Sequence, residues 1–439
     1  MTTGAARCLR QKGSSVDRAD AVVIGGGILG ASAALHLVEA GVKDVLLVER
    51  DGLAQGTSSA GAGFIGMWGA GYIAAWAGEE LEMEEYGLSF YAQLADEGYD
   101  FGFKRNGNLW AVTTEDTWRN HLVPLAASSR VTDKRILGPE EIEQMTGIVS
   151  AAGVLRGLLH PSGGYVSAPL ATLALADRFR RSGGRIALRR PVDRILVQDG
   201  RVIGVMTDQG RIASGIVVVA CGAWSNNLVR ELGIWLPMVP LVASRIITEN
   251  LNLPASMPTI MFPEFAFIWL REENGALLWG VDYNCHPHAA FVDGALPERF
   301  DQLPLDGVLY SQQVGTQAAV AIPVLLRYRS LTVAHGTPCF TPDQRGIIGG
   351  AADITGLYVI GGCNEGGVSH APGWGRLIAE LVVSGVPSNP VADAFSPQRF
   401  SSDFQRGQDV LEALHGGWGS RAPESDSGAE MASVETRGV

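Results

Sequence analysis

Gly25, Gly27 and Gly30 stand at G-x-G-x-x-G spacing, and the acid Glu49 follows about 20 residues beyond them. These residue types at this spacing suit the pyrophosphate and ribose of a dinucleotide. Gly25 permits a tight turn out of a strand. Gly27 lets the backbone approach a phosphate with no Cβ in the way, and Gly30 lets a helix pack close to the strand. Ile28 and Leu29 open that helix, whose unpaired N–H groups and positive dipole end favour phosphate charge. Glu49 is placed to accept from ribose hydroxyls and would repel a 2′-phosphate, so the pattern points to FAD or NAD.

The flanking residues are those such a motif requires. AVVI (21–24) reads as a buried strand, residues 31–39 continue as a helix, and Val45–Val48 make a second strand ending at Glu49. The stretch 56–71, GTSSAGAGFIGMWGAG, is too rich in glycine for a stable helix. An amphipathic helix is expected over 79–95, a strand over 107–114, and a short helix over 139–146. A helix to about Arg181 follows, then a strand, hairpins with DG and QG turns, and the apolar strand 216–220. From about 236 to 334 the chain is β-rich and aromatic. Residues 357–384 return to strand, glycine-rich loop and helix. No internal repeat is evident.

With 439 residues, 46% hydrophobic and 18% charged, the chain is long enough for two globular domains. A formal charge of −12 argues against nucleic-acid partners. No run of 18 apolar residues marks a membrane span. Residues 1–20 lack an apolar core and read as a disordered extension, not a signal peptide. Cys8, Cys221, Cys285, Cys339 and Cys363 are scattered, as reduced thiols of a cytoplasmic protein would be. No metal-ligand cluster is seen; His286 and His288 read as surface histidines.

The order of motifs resembles the FAD-dependent amine oxidoreductases of the D-amino acid oxidase superfamily, which includes sarcosine oxidase, glycine oxidase and dimethylglycine dehydrogenase. GGGILGASAALHL, VLLVER, FTPDQRGIIG (340–349), GLYVIGGCNEGGVSHAP and FSPQRF (395–400) carry the resemblance, which covers about residues 20–400. It implies an extended FAD, with Glu49 on the adenosine ribose. Arg50 and the loop with Thr57, Ser58, Ser59, Gly61 and Gly63 would lie along the cofactor. The backbone of Val192 would face the adenine, and Cys221, Gly222 and Trp224 would run near the pyrophosphate. Gly361, Asn364, Gly366, Gly367, Val368 and Ser369 would approach the flavin ring. The fold expected is α/β: a Rossmann-like FAD-binding domain (21–66, 150–235, 335–400) with an inserted α+β substrate domain (67–149, 236–334) built on a mostly antiparallel sheet. Residues 416–439 read as a disordered tail.

The loop after residue 361 also has a physical reading of its own. Its glycines allow close backbone approach, Pro372 suits the first turn of the following helix, and Ser369 or His370 is placed to cap it. A helix start aimed at the flavin would stabilise the reduced, anionic ring. Relatives that bind flavin covalently use a His near the Gly-Ser loop or a Cys upstream of TPD. This chain has Ser58 and Ser59 at the first place, and Cys339 stands out of register at the second, so FAD is expected to be non-covalent.

The chemistry implied is oxidation of a secondary, N-methylated or α-amino group to an imine, with electrons passed to O2 or an acceptor protein. An FAD-dependent dehydrogenase of a 2-hydroxy acid or polyol phosphate shares the glycine motif, and a non-catalytic flavoprotein subunit is the third reading. Catalytic residues are not assigned. Arg271, Glu365, Ser369 and His370 are substrate-pocket candidates, and Met67, Trp68 and Trp269 are candidates for an apolar wall. Sarcosine oxidase-like relatives present a Lys where this chain has Ser369, and Glu365 adds negative charge nearby. Simple anionic substrates are therefore expected to be poor.

Overall fold

AVVI carries no polar side chain, and Ala21–Ile24 is buried on both faces as the centre of a six-stranded sheet. A computed structural model describes residues 17–66, 80–129, 131–282, 296–297, 302–303, 305–329, 331–387, 392–400 and 404–418. The sheet runs Ile347–Gly350, Leu357–Gly361, Val217–Val219, Ala21–Ile24, Val45–Val48 and Arg185–Ala187. All neighbours are parallel except the first pair. Near-continuous apolar strands of this kind demand cover on both faces. One face receives the helices Ile28–Glu39, Glu80–Asp96, Ala168–Arg181 and Gly367–Ser384, joined in a single core. The other packs against Val192–Gln198, Arg201–Thr207 and Gly210–Ala213, strands of a separate four-stranded sheet.

A second large sheet has eight strands, in the order Leu331–Gly336, Ala243–Asn250, Ala276–Gly280, Ile268–Glu273, Thr259–Phe262, Asn108–Val112, Arg156–His160 and Arg135–Leu137. Its pairs are antiparallel except Thr259–Phe262 with Asn108–Val112. Side chains alternate between its faces. Leu109, Ala111, Ile260, Phe262, Ile268 and Leu270 enter a core with the helix Asp306–Ala318. Trp110, Val112, Met261 and Trp269 point the other way. The architecture is the expected mixed α/β one, with a mostly antiparallel second sheet.

Two segments depart from expectation. Arg156–His160 falls in a stretch assigned to the dinucleotide-binding part, yet it pairs with Asn108–Val112 in the eight-stranded sheet. A short apolar strand reads the same in either sheet, because the partner is chosen by tertiary contacts. The helix Gly407–Trp418 runs into the segment expected to be a tail, and its Val410 and Leu414 are buried against Val239, Leu241 and Phe340. The segment 1–16 of the expected N-terminal extension, residues 419–439, and Met67, Trp68, Cys285, His286 and His288 lie outside the described residues. Among the described residues no helix is long and apolar enough to cross a membrane, and no group of side chains is arranged to hold a metal ion.

Candidate active site

The turn after Ile24 is built as the glycine spacing requires. Gly25 has φ +111°, and a Cβ there would meet Ala220 O at 2.4 Å. A Cβ on Gly30 would lie 1.9 Å from Gly25 O, so the helix packs on the turn only with glycine at this place. Gly27 differs: its φ is −76°, and an added Cβ would meet only Ser58 Oγ, at 3.3 Å. The space above Gly27 is therefore open, and it belongs to a cleft of about 1150 Å³. Gly25, Gly27, Ile28 and Leu29 line the cleft at this end; Gly30 lies behind them as packing.

Glu49 lies against the same turn. Its Oε2 accepts from Gly26 N at 2.6 Å and its Oε1 from Asp51 N at 2.8 Å. Ser58 Oγ accepts from Ile28 N at 3.0 Å, occupying one N–H of the helix start. Arg50 pairs with Asp51 (2.9 Å) and stacks over Trp224, 5.0 Å from the ring centroid. Cys221 Sγ donates to Ile24 O at 3.3 Å, and burial pushes its thiol up to about 12. Arg50, Thr57, Ser58, Gly61 and Gly63 line the cleft, as do Val192, Cys221, Gly222 and Trp224. Ser59 does not, and its hydroxyl returns to Gly56 O at 2.9 Å.

The loop 57–63 is fastened by side chains from the eight-stranded sheet. Arg245 donates from Nη1 to Gly61 O at 2.5 Å and from Nη2 to Ser59 O at 2.8 Å. Burial, and then the charge of Arg271, lowers its guanidinium to about 10. Arg271 donates from Nε to Ala62 O at 2.6 Å, pairs with Glu273, and lies 4.4 Å from the Tyr165 ring centroid. Thr57 Oγ1 accepts from Thr337 N at 3.1 Å. Arg271 was a substrate-pocket candidate; the structure corrects this. It is 2% exposed and lies behind the cleft wall, where its charge is satisfied by a carbonyl and a carboxylate. Arg245, which does line the cleft, was missed, because nothing local in ASRIITEN distinguishes it.

The second glycine loop needs a similar correction. The helix begins at Gly367 with Gly366 as its cap residue, so Ser369, His370 and Pro372 lie inside it. Pro372 has no N–H to give the carbonyl four residues earlier. That carbonyl, Val368 O, accepts instead from Tyr91 OH at 2.7 Å. Ser369 and His370 cap nothing. Ser369 Oγ accepts from Gly66 N at 3.1 Å and donates to Glu84, whose other oxygen meets His370 Nδ1. Glu84 is fully buried, and His370 stacks on Trp374 at 4.8 Å. Glu84 was not among the candidate residues. Yet Leu81, Glu84, Leu88 and Tyr91 share one side of a helix at three- and four-residue spacing, a pattern that marks it for burial.

Gly366, Gly367, Val368, Ser369 and Glu365 line the cleft, whereas Gly361, Asn364 and His370 do not. Asn364 works from behind: its Oδ1 accepts from Thr341 N at 3.0 Å, and its Nδ2 donates to Gly362 O at 2.6 Å. The cleft thus runs from the first glycine turn, past the fastened loop and the second glycine loop, to the Trp110 face of the eight-stranded sheet.

A model of FAD dependent oxidoreductases matches residues 20–381. The chain belongs to this family. It is 30% identical over 410 residues to 4-methylaminobutanoate oxidase (formaldehyde-forming) of Paenarthrobacter nicotinovorans, a match covering 89% of this chain and 47% of that protein. It is 26% identical over 384 residues to mitochondrial dimethylglycine dehydrogenase of Homo sapiens, covering 84% of this chain and 43% of that protein. The chain thus spans about half the length of these two relatives. L-proline dehydrogenase from P. horikoshii shares the fold, with a TM-score of 0.76 at 22% identity over 88% of this chain and 98% of that one. As a member of an FAD-dependent family the chain takes FAD as cofactor, and the open cradle at Gly27 fits its pyrophosphate.

Proposed function

We propose that the protein oxidises a C–N bond of a secondary, N-methylated or α-amino compound to an imine, which water then hydrolyses. The observation that carries this reading is the continuity of the cleft. One cavity joins a dinucleotide cradle at Gly25–Leu29 to a mostly apolar chamber bearing the carboxylates of Glu365 and Asp282. The activities for which the two relatives are named, on 4-methylaminobutanoate and dimethylglycine, support the same class of substrate.

In this reading Gly27 and the helix start hold the pyrophosphate, Glu49 meets the adenosine ribose, and Val192 faces the adenine. The loop 57–63 and residues 366–369 flank the flavin. When bound, FAD would supply the acceptor for the hydride that leaves the carbon next to nitrogen, while the proton on nitrogen passes to solvent. The residues of the chain bind and orient the amine and exclude water from it. FAD is held without a covalent bond: Ser58 and Ser59 occupy the loop beside the cradle, and Cys339 is buried with its thiol pushed well above its ordinary value by desolvation. Electrons pass to O2 or to an acceptor protein. The protein works in the cytoplasm, in keeping with the free thiols of Cys221, Cys339 and Cys363.

A steady-state screen of amines, 2-hydroxy acids and polyol phosphates tests the reading, with products identified by mass spectrometry. An aldehyde or keto product together with the dealkylated amine or ammonia is expected. Turnover confined to hydroxy acids or polyol phosphates would refute it.

A further inference from the structure

The end of the cleft beyond the flavin loops carries information about the substrate that the family alone does not. Trp110, Met261 and Trp269 sit in direct register on three adjacent strands, Met261 opposite both tryptophans. They form an apolar row on the cleft face of the sheet. Phe64 meets Trp269 edge-on at 5.5 Å and extends the row. Asp282 lies at its edge: its N donates to Ala266 O at 3.0 Å, and Gly280, two residues earlier, pairs with Trp269.

Glu365 faces the same space for a definite backbone reason. Asn364 and Glu365 both adopt positive φ, +45° and +66°, a conformation that is unfavourable for a residue other than glycine. The Asn364 side chain, 2% exposed and bonded to Thr341 N and Gly362 O, holds the turn in that state. The turn delivers a carboxylate that is open to the cleft yet surrounded by protein. Burial, and then the charge of Asp282, pushes its acid well above the usual carboxylate range, so it is an arriving ammonium that favours the charged form.

The cations of the cleft wall are otherwise engaged. Among the described lining residues they are Arg50, Arg190 and Arg245. Arg50 pairs with Asp51 beneath Trp224, Arg190 with Asp17 at 2.8 Å, and Arg245 gives both Nη groups to loop carbonyls, while its Nε, which has no bonded partner among the described residues, is buried away from the open cleft. Among the described lining residues, a substrate carboxylate would find the acid Glu365 here and no cation that lacks a carboxylate or carbonyl partner.

We propose, resting on the amine-oxidising reading above, that this protein selects a cationic amine bearing an apolar or aromatic group and lacking a carboxylate. Glu365 meets the ammonium, and the Trp110–Met261–Trp269 row with Phe64 receives the apolar group. Aromatic faces beside an ammonium add cation–π attraction to the charge pairing.

The test uses the FAD-loaded protein and two inert probes, benzyltrimethylammonium and phenylacetate, titrated while the flavin absorbance spectrum is followed. Benzyltrimethylammonium is expected to bind at least tenfold tighter than phenylacetate and tighter than tetramethylammonium. Glu365→Gln should weaken the cation at least tenfold and leave phenylacetate unchanged or tighter. Trp269→Ala should remove the advantage of benzyltrimethylammonium over tetramethylammonium. Glu365→Gly, which relieves the positive φ while removing the carboxylate, should show the same loss in a protein at least as stable. Tighter binding of phenylacetate, or cation affinity within twofold of wild type in either Glu365 variant, overturns the inference. Flavin reduction by anionic amino acids alone would overturn it and leave the amine-oxidising reading standing, whereas reduction by no amine at all would refute that reading.

Discussion

Gly27 and Gly30, three residues apart, should fail in opposite ways when given a side chain. A Cβ on Gly30 would sit 1.9 Å from Gly25 O and 3.3 Å from Ala220 Cβ. A backbone carbonyl cannot rotate away as a side chain does, so the turn itself must move, at a cost of about 1–3 kcal/mol or more. Gly30→Ala should therefore lower the stability of the apoprotein by that amount. At Gly27 the protein offers almost no obstacle, since a Cβ meets only Ser58 Oγ, at 3.3 Å. Losing a glycine N-cap for Ala costs the helix less than about 1 kcal/mol. The obstacle is the bound cofactor. Displacing the pyrophosphate from one backbone N–H forfeits a charge-assisted hydrogen bond worth about 1.5–3 kcal/mol, or roughly 10- to 150-fold in affinity. Urea unfolding of the apoproteins and fluorescence titration with FAD measure the two effects separately. Gly27→Ala should fold almost normally and bind FAD at least tenfold more weakly, and Gly27→Val more weakly still. FAD affinity within twofold of wild type for Gly27→Ala, or unchanged apoprotein stability for Gly30→Ala, would refute the reasoning.

Three further outcomes are expected. Glu84→Ala removes the carboxylate that meets Ser369 Oγ and His370 Nδ1, both buried, and should cost about 1–3 kcal/mol in urea unfolding; a loss below 1 kcal/mol would show that the carboxylate holds nothing. His36 is 4% exposed, with Nδ1 at 2.8 Å from Ser32 O and Nε2 at 3.0 Å from Tyr86 OH, and burial lowers its pKa from 6.5 to about 4. The unfolded chain thus takes up this proton first as pH falls. The stability is present above about pH 6.5 and is lost towards pH 4, a span worth about 3 kcal/mol. His36→Leu should flatten the decline in unfolding free energy between pH 7 and pH 5, and equal slopes in both proteins would contradict the assignment. Acid precipitation should release FAD into the supernatant, and flavin retained in the washed pellet would disprove non-covalent binding.

Much of the fold was legible because its determinants are local. The glycine spacing, the largely apolar strands AVVI and NLWAV, and IWLREE ahead of its polar turn each specify an element within a few residues. What escaped depends on partners far along the chain. Pro372 reads as a helix opener until Tyr91, 277 residues before Val368 in sequence, is seen to bond the Val368 carbonyl that proline leaves unbonded. Arg271 reads as a pocket arginine until Ala62 O and Glu273 are seen to consume it, while Arg245, its neighbour in the fold, has no distinguishing local context. Glu84 was the recoverable miss, since its helical spacing alone placed it with the buried residues. Glu365, by contrast, was legible as a cleft acid, though not the strained turn that aims it.

The central claim, that the bound flavin takes electrons from a C–N bond, is tested most directly by anaerobic mixing of the FAD-loaded protein with panels of amines, 2-hydroxy acids and polyol phosphates while the flavin absorbance is recorded. The account predicts full bleaching by one or more secondary, N-methylated or α-amino compounds, one equivalent of imine-derived carbonyl product per flavin, and no bleaching by hydroxy acids or polyol phosphates. Bleaching only by a hydroxy acid or polyol phosphate, or a flavin that every small donor leaves oxidised while dithionite reduces it, would contradict it.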